Sequence, residues 1–327
     1  MTAERYEIEH RSQRRPIRVG ISACLLGQHV RFDGSHKRNA FLTESFGDFV
    51  EWVPVCPEVE CGLGTPREAM RLVRSGGIRL VTTKSGIDLT VRMQQFAQSR
   101  LANLAGEELS GYVLKKDSPT CGLERVKVYG RGSVPARNGH GLFAAALVAA
   151  FPNLPVEEEG RLADPRLRDN FVERVFAYWR LRGLFARRWT IGDLVRFHTA
   201  HKLMLLAHSP NAYRELGRLV AGASGKQRGE LKRSYETVFM RALAQPATTS
   251  LHTNVLQHVA GHFKELLDSP SKHELGEVID DYRRGLVPLN VPLTLVRHYV
   301  RRFAVSYLSE QLYLQPHPKE LMLRNYV

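Results

Sequence analysis

The sequence predicts an α/β domain, built on a mainly parallel sheet in three layers, followed in the same chain by an all-α domain. Three observations carry this reading. Short β-branched runs alternate with helical-period segments only as far as about residue 160. Three cysteines each stand just beyond one of those runs, where an α/β sheet presents its carboxyl ends to ligands. From Arg166 onward almost no β signal remains, and helical patterns follow one another between turn signals such as Ser209-Pro210 and Ser269-Pro270.

Residues 1–16 mix both charges without an apolar run, so they read as a solvated tail rather than a secretory signal. Ile17 to Ser22 alternates as a strand and runs into Cys24; after a basic loop, Asn39 is placed to cap a helix reaching about Phe49. Val53 and Val55 form a second strand ending at Cys56, because Pro57 has no N–H to continue it, and Gly62 and Gly64 loosen the loop that follows. Residues 78–83 form a further strand and Asp88 to Leu104 an amphipathic helix. Gly111 to Leu114 is a strand leading to the polar loop with Cys121, Val126 to Tyr129 is a short strand, and Gly141 to Phe151 is an apolar helix. Pro155 to Pro165, with its three consecutive glutamates, reads as a connector or a loop at a buried edge.

The expected domains are therefore 17–164 and 165–327. Helices are expected over 166–185, 191–207, 212–220, 230–243, 251–267, 272–285 and 293–312.

No stretch approaches the roughly 18 to 20 apolar residues of a membrane span, so the chain reads as cytoplasmic. Four cysteines in 327 residues are too few for a disulfide scaffold, which leaves metal binding, catalysis or simple burial. Charge is unevenly spread: residues 1–164 hold 22 Lys and Arg against 19 Asp and Glu (+3), and residues 165–327 hold 25 against 14 (+11). A basic half of this kind suits a phosphate-bearing partner such as RNA, whose counterions Lys and Arg displace. Nothing in the sequence calls for a protein partner.

Cys24, Cys56 and Cys121 are the candidate ligands for a [4Fe-4S] cluster, since three thiolates leave one iron open to a substrate. Cys61, five residues after Cys56, is either a fourth ligand or a spectator, and buried structural cysteines are the other reading of the same spacing. No C-x-x-C pair is present, which disfavours a zinc ribbon and the common ferredoxin pattern.

The segments S-A-C-L-L-G (22–27), R-F-D-G (31–34), V-C-P-E-V (55–59), G-L-G-T-P-R (62–67), K-D-S-P-T-C-G (116–122) and G-L-F-A (141–144) together resemble the TudS-type thiouracil desulfidase family. The stretch R-F-H-T-A-H-K-L-M-L-L-A-H-S (196–209), with Ala212 to Gly217 after it, resembles the YbgA-like helical domain. Their fusion is the arrangement of RudS-type tRNA 4-thiouridine desulfidases.

The resemblance implies a cluster whose irons are held by Cys24, Cys56 and Cys121, and an open iron that takes the sulfur of a thiolated pyrimidine. Cys61 stands where many relatives have an apolar residue or glycine, so it falls outside the implied ligand set. Beside the ligands, Glu58 is the implied general base, with a salt bridge to Arg67 or Arg31 as its other reading. Ser118 is implied to touch the pyrimidine or a cluster sulfur, or else to hold a turn before Pro119.

Nine of the thirteen histidines follow residue 165, and the pairs His198/His201 and His258/His262 can share helix faces. His201, Lys202, His208, Arg214 and Arg218 are the candidate RNA-facing residues, and Arg297, Arg301 and Arg302 mark a basic helix. The expected function is a [4Fe-4S] enzyme acting on 4-thiouridine in tRNA. The alternatives are a desulfidase of free thiouracil or another thionucleoside, and a non-enzymatic nucleic-acid-binding protein with structural or redox-sensing cysteines.

Overall fold

The computed structural model describes residues 16–130 and 134–326, so the tail expected over 1–16 lies, except for Pro16, outside the described residues. The chain divides into two compact units, the first spanning Pro16–Ala163 and the second formed mainly by Asp164–Val327.

The first unit contains two four-stranded sheets. One has the order β2-β1-β5-β8 and is parallel throughout: β1 is Arg18–Ser22, β2 Glu51–Val55, β5 Gly111–Leu114 and β8 Val156–Glu158. Because the strands are parallel, their carboxyl ends open at one edge, which is where a site can form. β1 and β5 lie in the middle and are almost wholly buried, whereas β2 is an edge strand and so tolerates Pro54. Gly20 in β1 has no room for a Cβ, since one built there would run into the Tyr112 ring on β5.

The second sheet has the order β4-β3-β6-β7 and is mixed: β3 is Met70–Arg74, β4 Ile78–Thr82, β6 Val126–Tyr129 and β7 Ala136–Gly139. It closes on a small core of Leu72, Leu80, Leu89, Met93, Val126 and Val128. Two helices complete the unit, α1 over Thr90–Ala105 and α2 over Leu142–Ala150, and they meet through Phe96 and Phe143 at 6.4 Å between ring centres.

Two sequence expectations change here. The helix expected from Asn39 to Phe49 is capped as foreseen, Asn39 Oδ1 accepting from the Leu42 N–H at 3.1 Å, but it breaks into a π turn (Phe41–Ser45) and a 3₁₀ turn (Phe46–Phe49). The acidic stretch expected as a connector contains β8. Its carboxylates are drawn to specific groups rather than to water: Glu158 accepts the Leu123 N–H at 2.7 Å, Glu157 pairs with Arg161, and Glu159 pairs with Lys115.

The second unit is helical: α3 Pro165–Phe185, α4 Ile191–Ala200, α5 Lys202–His208, α6 Pro210–Ala221, α7 Arg228–Leu243, α8 Thr249–Gly261, α9 Ser269–Arg283 and α10 Asn290–Arg302. Local chemistry sets several starts. Asp164 caps α3 with Pro165 in the first turn, and Thr190 with Asp193 forms a capping box on α4, each worth about 1 kcal/mol. The helix expected over 191–207 is interrupted at His201, and the one over 293–312 ends at Arg302. One large apolar core runs through the unit, from Ala177 on α3 to Leu314. Among the described residues no helix is long and apolar enough to cross a membrane.

Candidate active site

Cys24, Cys56 and Cys121 line one cavity of about 330 Å³ at the carboxyl edge of the parallel sheet. Cys24 sits in the turn directly after β1, and its carbonyl accepts the Lys37 N–H at 2.9 Å. Cys56 follows β2 and is held by its own N–H, which donates to Glu60 Oε1 at 2.8 Å while Arg100 of α1 holds the other Glu60 oxygen at 3.0 Å. Cys121 lies in the loop after β5. That loop is fixed by α2, whose Phe143 and Ala144 N–H groups donate to the Thr120 carbonyl at 3.0 and 3.1 Å. Gly141 makes this approach possible, because a Cβ there would strike the backbone of Thr120 and Cys121.

Cys61 is absent from the cavity wall. It packs against the core of the second sheet and donates from Sγ to the Glu58 carbonyl at 3.3 Å.

Burial dominates the thiol chemistry. It pushes Cys24 up to about 11, with Lys115 partly opposing, and also raises Cys56. Cys121 is raised most strongly, against the hydrogen bonds of Ser22 and Thr120 to its sulfur. Protonated thiols are poor nucleophiles, so a plain cysteine-nucleophile mechanism fits this site badly. Metal ligation, which displaces the protons, fits it better. Among the described residues no three His, Cys, Asp or Glu side chains gather around a single-ion site. A cluster has a different requirement: it offers separate irons to separate thiols, as three walls of one cavity do.

Glu58 lines the same cavity and makes the ion pair that was its other reading. Its Oε2 accepts from Arg67 Nε at 2.9 Å and from Arg67 Nη2, and its Oε1 accepts from the Thr120 hydroxyl at 2.7 Å. Arg67 is a hub, donating also to the carbonyls of Val30 (2.9 Å) and Gly64 (2.8 Å). Ser118 Oγ accepts the Cys121 N–H at 3.1 Å and lies 3.0 Å from Thr120 Oγ1, so it holds the turn and also adjoins the Glu58 network.

Thr120 was missed as a functional residue. Its position beside Cys121 in K-D-S-P-T-C-G was the only signal, and its partner lies 62 residues away. Lys37, Lys115 and Lys116 also line the cavity and were likewise not singled out.

In the helical unit the expected RNA-facing group splits. His201 and His208 are buried, at 0% and 4% exposure, and this corrects the sequence reading. Both fall on the apolar stripe that includes Leu194, Phe197 and Leu205, where helical spacing turns them inward. His201 Nδ1 lies 2.8 Å from the Phe197 carbonyl, and His208 bridges the Gln245 carbonyl and Glu173. Lys202 is half-buried near the rings of Tyr213 and Tyr307. Of the five, only Arg214 and Arg218 are exposed, along an open groove on α6. Arg301 and Arg302 are exposed, but Arg297 is drawn back to the Leu314 carbonyl at 3.2 Å.

The inward histidines make acid stability testable. Burial lowers His201 to about 3, His252 to about 3 and His198 to about 4, so the folded chain keeps them neutral where the unfolded chain protonates them. The unfolded state then binds more protons below about pH 6.5, and stability falls as pH drops from there towards 4, by up to about 1.4 kcal/mol per pH unit for each. Thermal melts between pH 7 and 5 should show a declining midpoint, and His201→Phe should flatten the decline.

Residues 19–159 match the family model described as 2-thiouracil desulfurase, and residues 202–318 match that of DUF1722, a protein of unknown function. Uncharacterized protein YbgA of Escherichia coli (strain K12) is 37% identical over 161 residues, covering 49% of this chain and 95% of that protein. Uncharacterized protein YbbK of Bacillus subtilis (strain 168) is 32% identical over 108 residues, covering 31% of this chain and 71% of that protein. Among solved structures, the [4Fe-4S]-dependent thiouracil desulfidase TudS is 32% identical, covering 46% of this chain and 96% of its own, with a TM-score of 0.39.

Proposed function

We propose, on the premise that this chain belongs through residues 19–159 to the 2-thiouracil desulfurase family and through residues 202–318 to the DUF1722 family, that it is a [4Fe-4S]-dependent desulfidase converting 4-thiouridine in tRNA to uridine and hydrosulfide. The observation that carries this reading is the meeting of Cys24, Cys56, Cys121 and Glu58 on one cavity.

The three cysteines would hold the cluster, which when bound supplies a Lewis-acidic iron as a seat for the thiocarbonyl sulfur. Exchange of C=S for C=O consumes one water and releases hydrosulfide, so no net electron transfer is needed. Glu58 takes a proton from that water. Its Oε1 retains a lone pair after binding Thr120, whereas Oε2 is taken up twice by Arg67, and those two partners fix where the carboxylate points. Ser118 supports the network from behind by orienting Thr120 and the Cys121 backbone.

The +11 balance of residues 165–327, with Arg214 and Arg218 exposed, supports a polyanionic substrate over a free base. The test is anaerobic. Protein reconstituted with iron and sulfide is mixed with bulk tRNA, and the 4-thiouridine absorbance and released hydrosulfide are followed. The expected result is loss of the chromophore, with kcat/KM falling about tenfold or more between 50 and 200 mM salt. Turnover of free 2-thiouracil with tRNA left intact would replace the tRNA reading by the free-base one.

A further inference from the structure

In the helical unit α3 and α7 lie side by side and antiparallel. Asn170, near the start of α3, donates to the Leu243 carbonyl at the end of α7 at 2.9 Å, and Tyr178, midway along, donates to Glu236 at 3.2 Å. The residues around Phe185 therefore meet the first turns of α7. There two cations of α7 lie over two rings: Arg228 Cζ is 4.8 Å from the ring centre of Trp189, and Lys232 Nζ is 5.7 Å from that of Phe185. Phe185 is buried, and Trp189 packs on it edge to face at 5.1 Å, itself half-buried. Arg228 is exposed, so its guanidinium covers the indole on one side and meets solvent on the other.

Charge at this end is one-sided. Arg188, Arg228 and Lys232 have no acidic partner among the described residues. α6 turns back into α7 through Ala223–Gly225, which brings the exposed Arg218 to the same end. Asp193, the acid bound here, is already taken up by the Thr190 capping box and by Arg196 and Arg187 at 2.5 and 3.8 Å. Glu230 stands two residues from both Arg228 and Lys232, about 200° round the helix, and so faces away from their side. The run of cations over rings ends one turn further on, where Glu236 accepts from Tyr178.

We infer that this end of the helical unit binds an unpaired segment of RNA, one base stacking on the outer face of the Arg228 guanidinium above Trp189, and the neighbouring phosphates meeting Arg188, Lys232 and Arg218. Guanidinium planes and aromatic rings accept any base, but only a base outside a duplex can leave its own stack to reach them. Cations on either side follow the backbone by charge, without reading sequence. What separates Arg228 from the other exposed cations of the unit is the ring beneath it, which fixes the guanidinium as a flat surface. The inference rests on the tRNA reading for the identity of the RNA, whereas the binding itself needs neither a cluster nor a thiolated base.

Trp189 is one of three tryptophans, so the site carries its own probe. An oligoadenylate of about twelve nucleotides, which holds no pyrimidine to enter the cysteine cavity, is titrated into the full chain while tryptophan emission is followed. The single strand should quench the emission and bind at least about tenfold more tightly than its duplex with oligouridylate. Trp189→Phe keeps a ring on Phe185 and should still bind, but without the quenching. Arg228→Gln, altered at an exposed position, should weaken binding about tenfold. Arg188→Gln/Lys232→Gln should make the fall of log affinity with log salt shallower by about 1.4, from two phosphate contacts at ~0.7 each.

Quenching that survives Trp189→Phe, equal affinity for strand and duplex, no binding of either, or full affinity in Arg228→Gln would each overturn the inference. The two readings fail separately. Strand binding with the expected variant effects, in protein that leaves thiolated tRNA unchanged, would keep the inference and remove the tRNA desulfidase. Desulfuration of tRNA by a protein whose strand binding ignores Arg228→Gln would do the reverse.

Discussion

Alanine at Cys24, Cys56 or Cys121 is expected to remove the cluster absorbance and lower turnover at least about a thousandfold, equivalent to ~4 kcal/mol of barrier, whereas Cys61→Ala is expected to retain both. The contrast follows from where the four sulfurs sit. Three line the cavity on walls built from separate strand ends, and a missing wall leaves an iron without its protein ligand. The fourth packs against Leu72 and its neighbours and spends its S–H on the Glu58 carbonyl. Iron and sulfide content per chain, measured with turnover on each variant, checks this directly. Full activity in all three would make these thiols structural; loss of the cluster in Cys61→Ala would place Cys61 in the ligand set.

How these thiols meet was legible in the sequence for a simple reason. Each follows a β-branched run, parallel strands open at a common edge, and β2, β1 and β5 prove to be neighbours in that order. The second sheet was legible only in part, at β4 and β6, whereas β3 and β7 were not. Met70–Arg74 alternates but carries two arginines, and β7 reads Ala-Arg-Asn-Gly with no β-branched residue, so pairing rather than propensity makes it a strand. β8 was hidden for another reason: three consecutive glutamates read as a connector or a buried-edge loop, and not as a strand, until their partners, the Leu123 N–H, Arg161 and Lys115, are in view.

In the helical half, element positions were readable from period and caps, but side-chain direction was misjudged at His201 and His208. There the residue type suggested a surface and the spacing pointed to the core. Arg67 and Thr120 share a different difficulty, since what each does depends on a loop bringing it to Glu58.

Glu58→Gln is expected to keep the cluster while lowering kcat by about 10² to 10⁴, the range for loss of a positioned general base. Glutamine nearly matches the shape of the carboxylate and leaves an oxygen for Arg67 or Thr120, so the cavity wall should stand. What it loses is the capacity to take a proton from water. The ion pair with Arg67 is 6% and 14% exposed on its two side chains, and substitution leaves the guanidinium facing a neutral amide. Thermal stability must therefore be measured beside turnover, since removing one partner of a buried pair is destabilising by itself.

Thr120→Val separates the two contributions. It removes the donor to Glu58 Oε1 without removing a charge, so a carboxylate that works by proton transfer from a fixed position should lose rate with Thr120. A carboxylate that serves only to anchor Arg67 should be indifferent to that change. A Glu58→Gln protein with unaltered kcat would leave the Glu58–Arg67 pair as an anchor for the loop, and the proton acceptor would then have to be sought among the other groups lining the cavity.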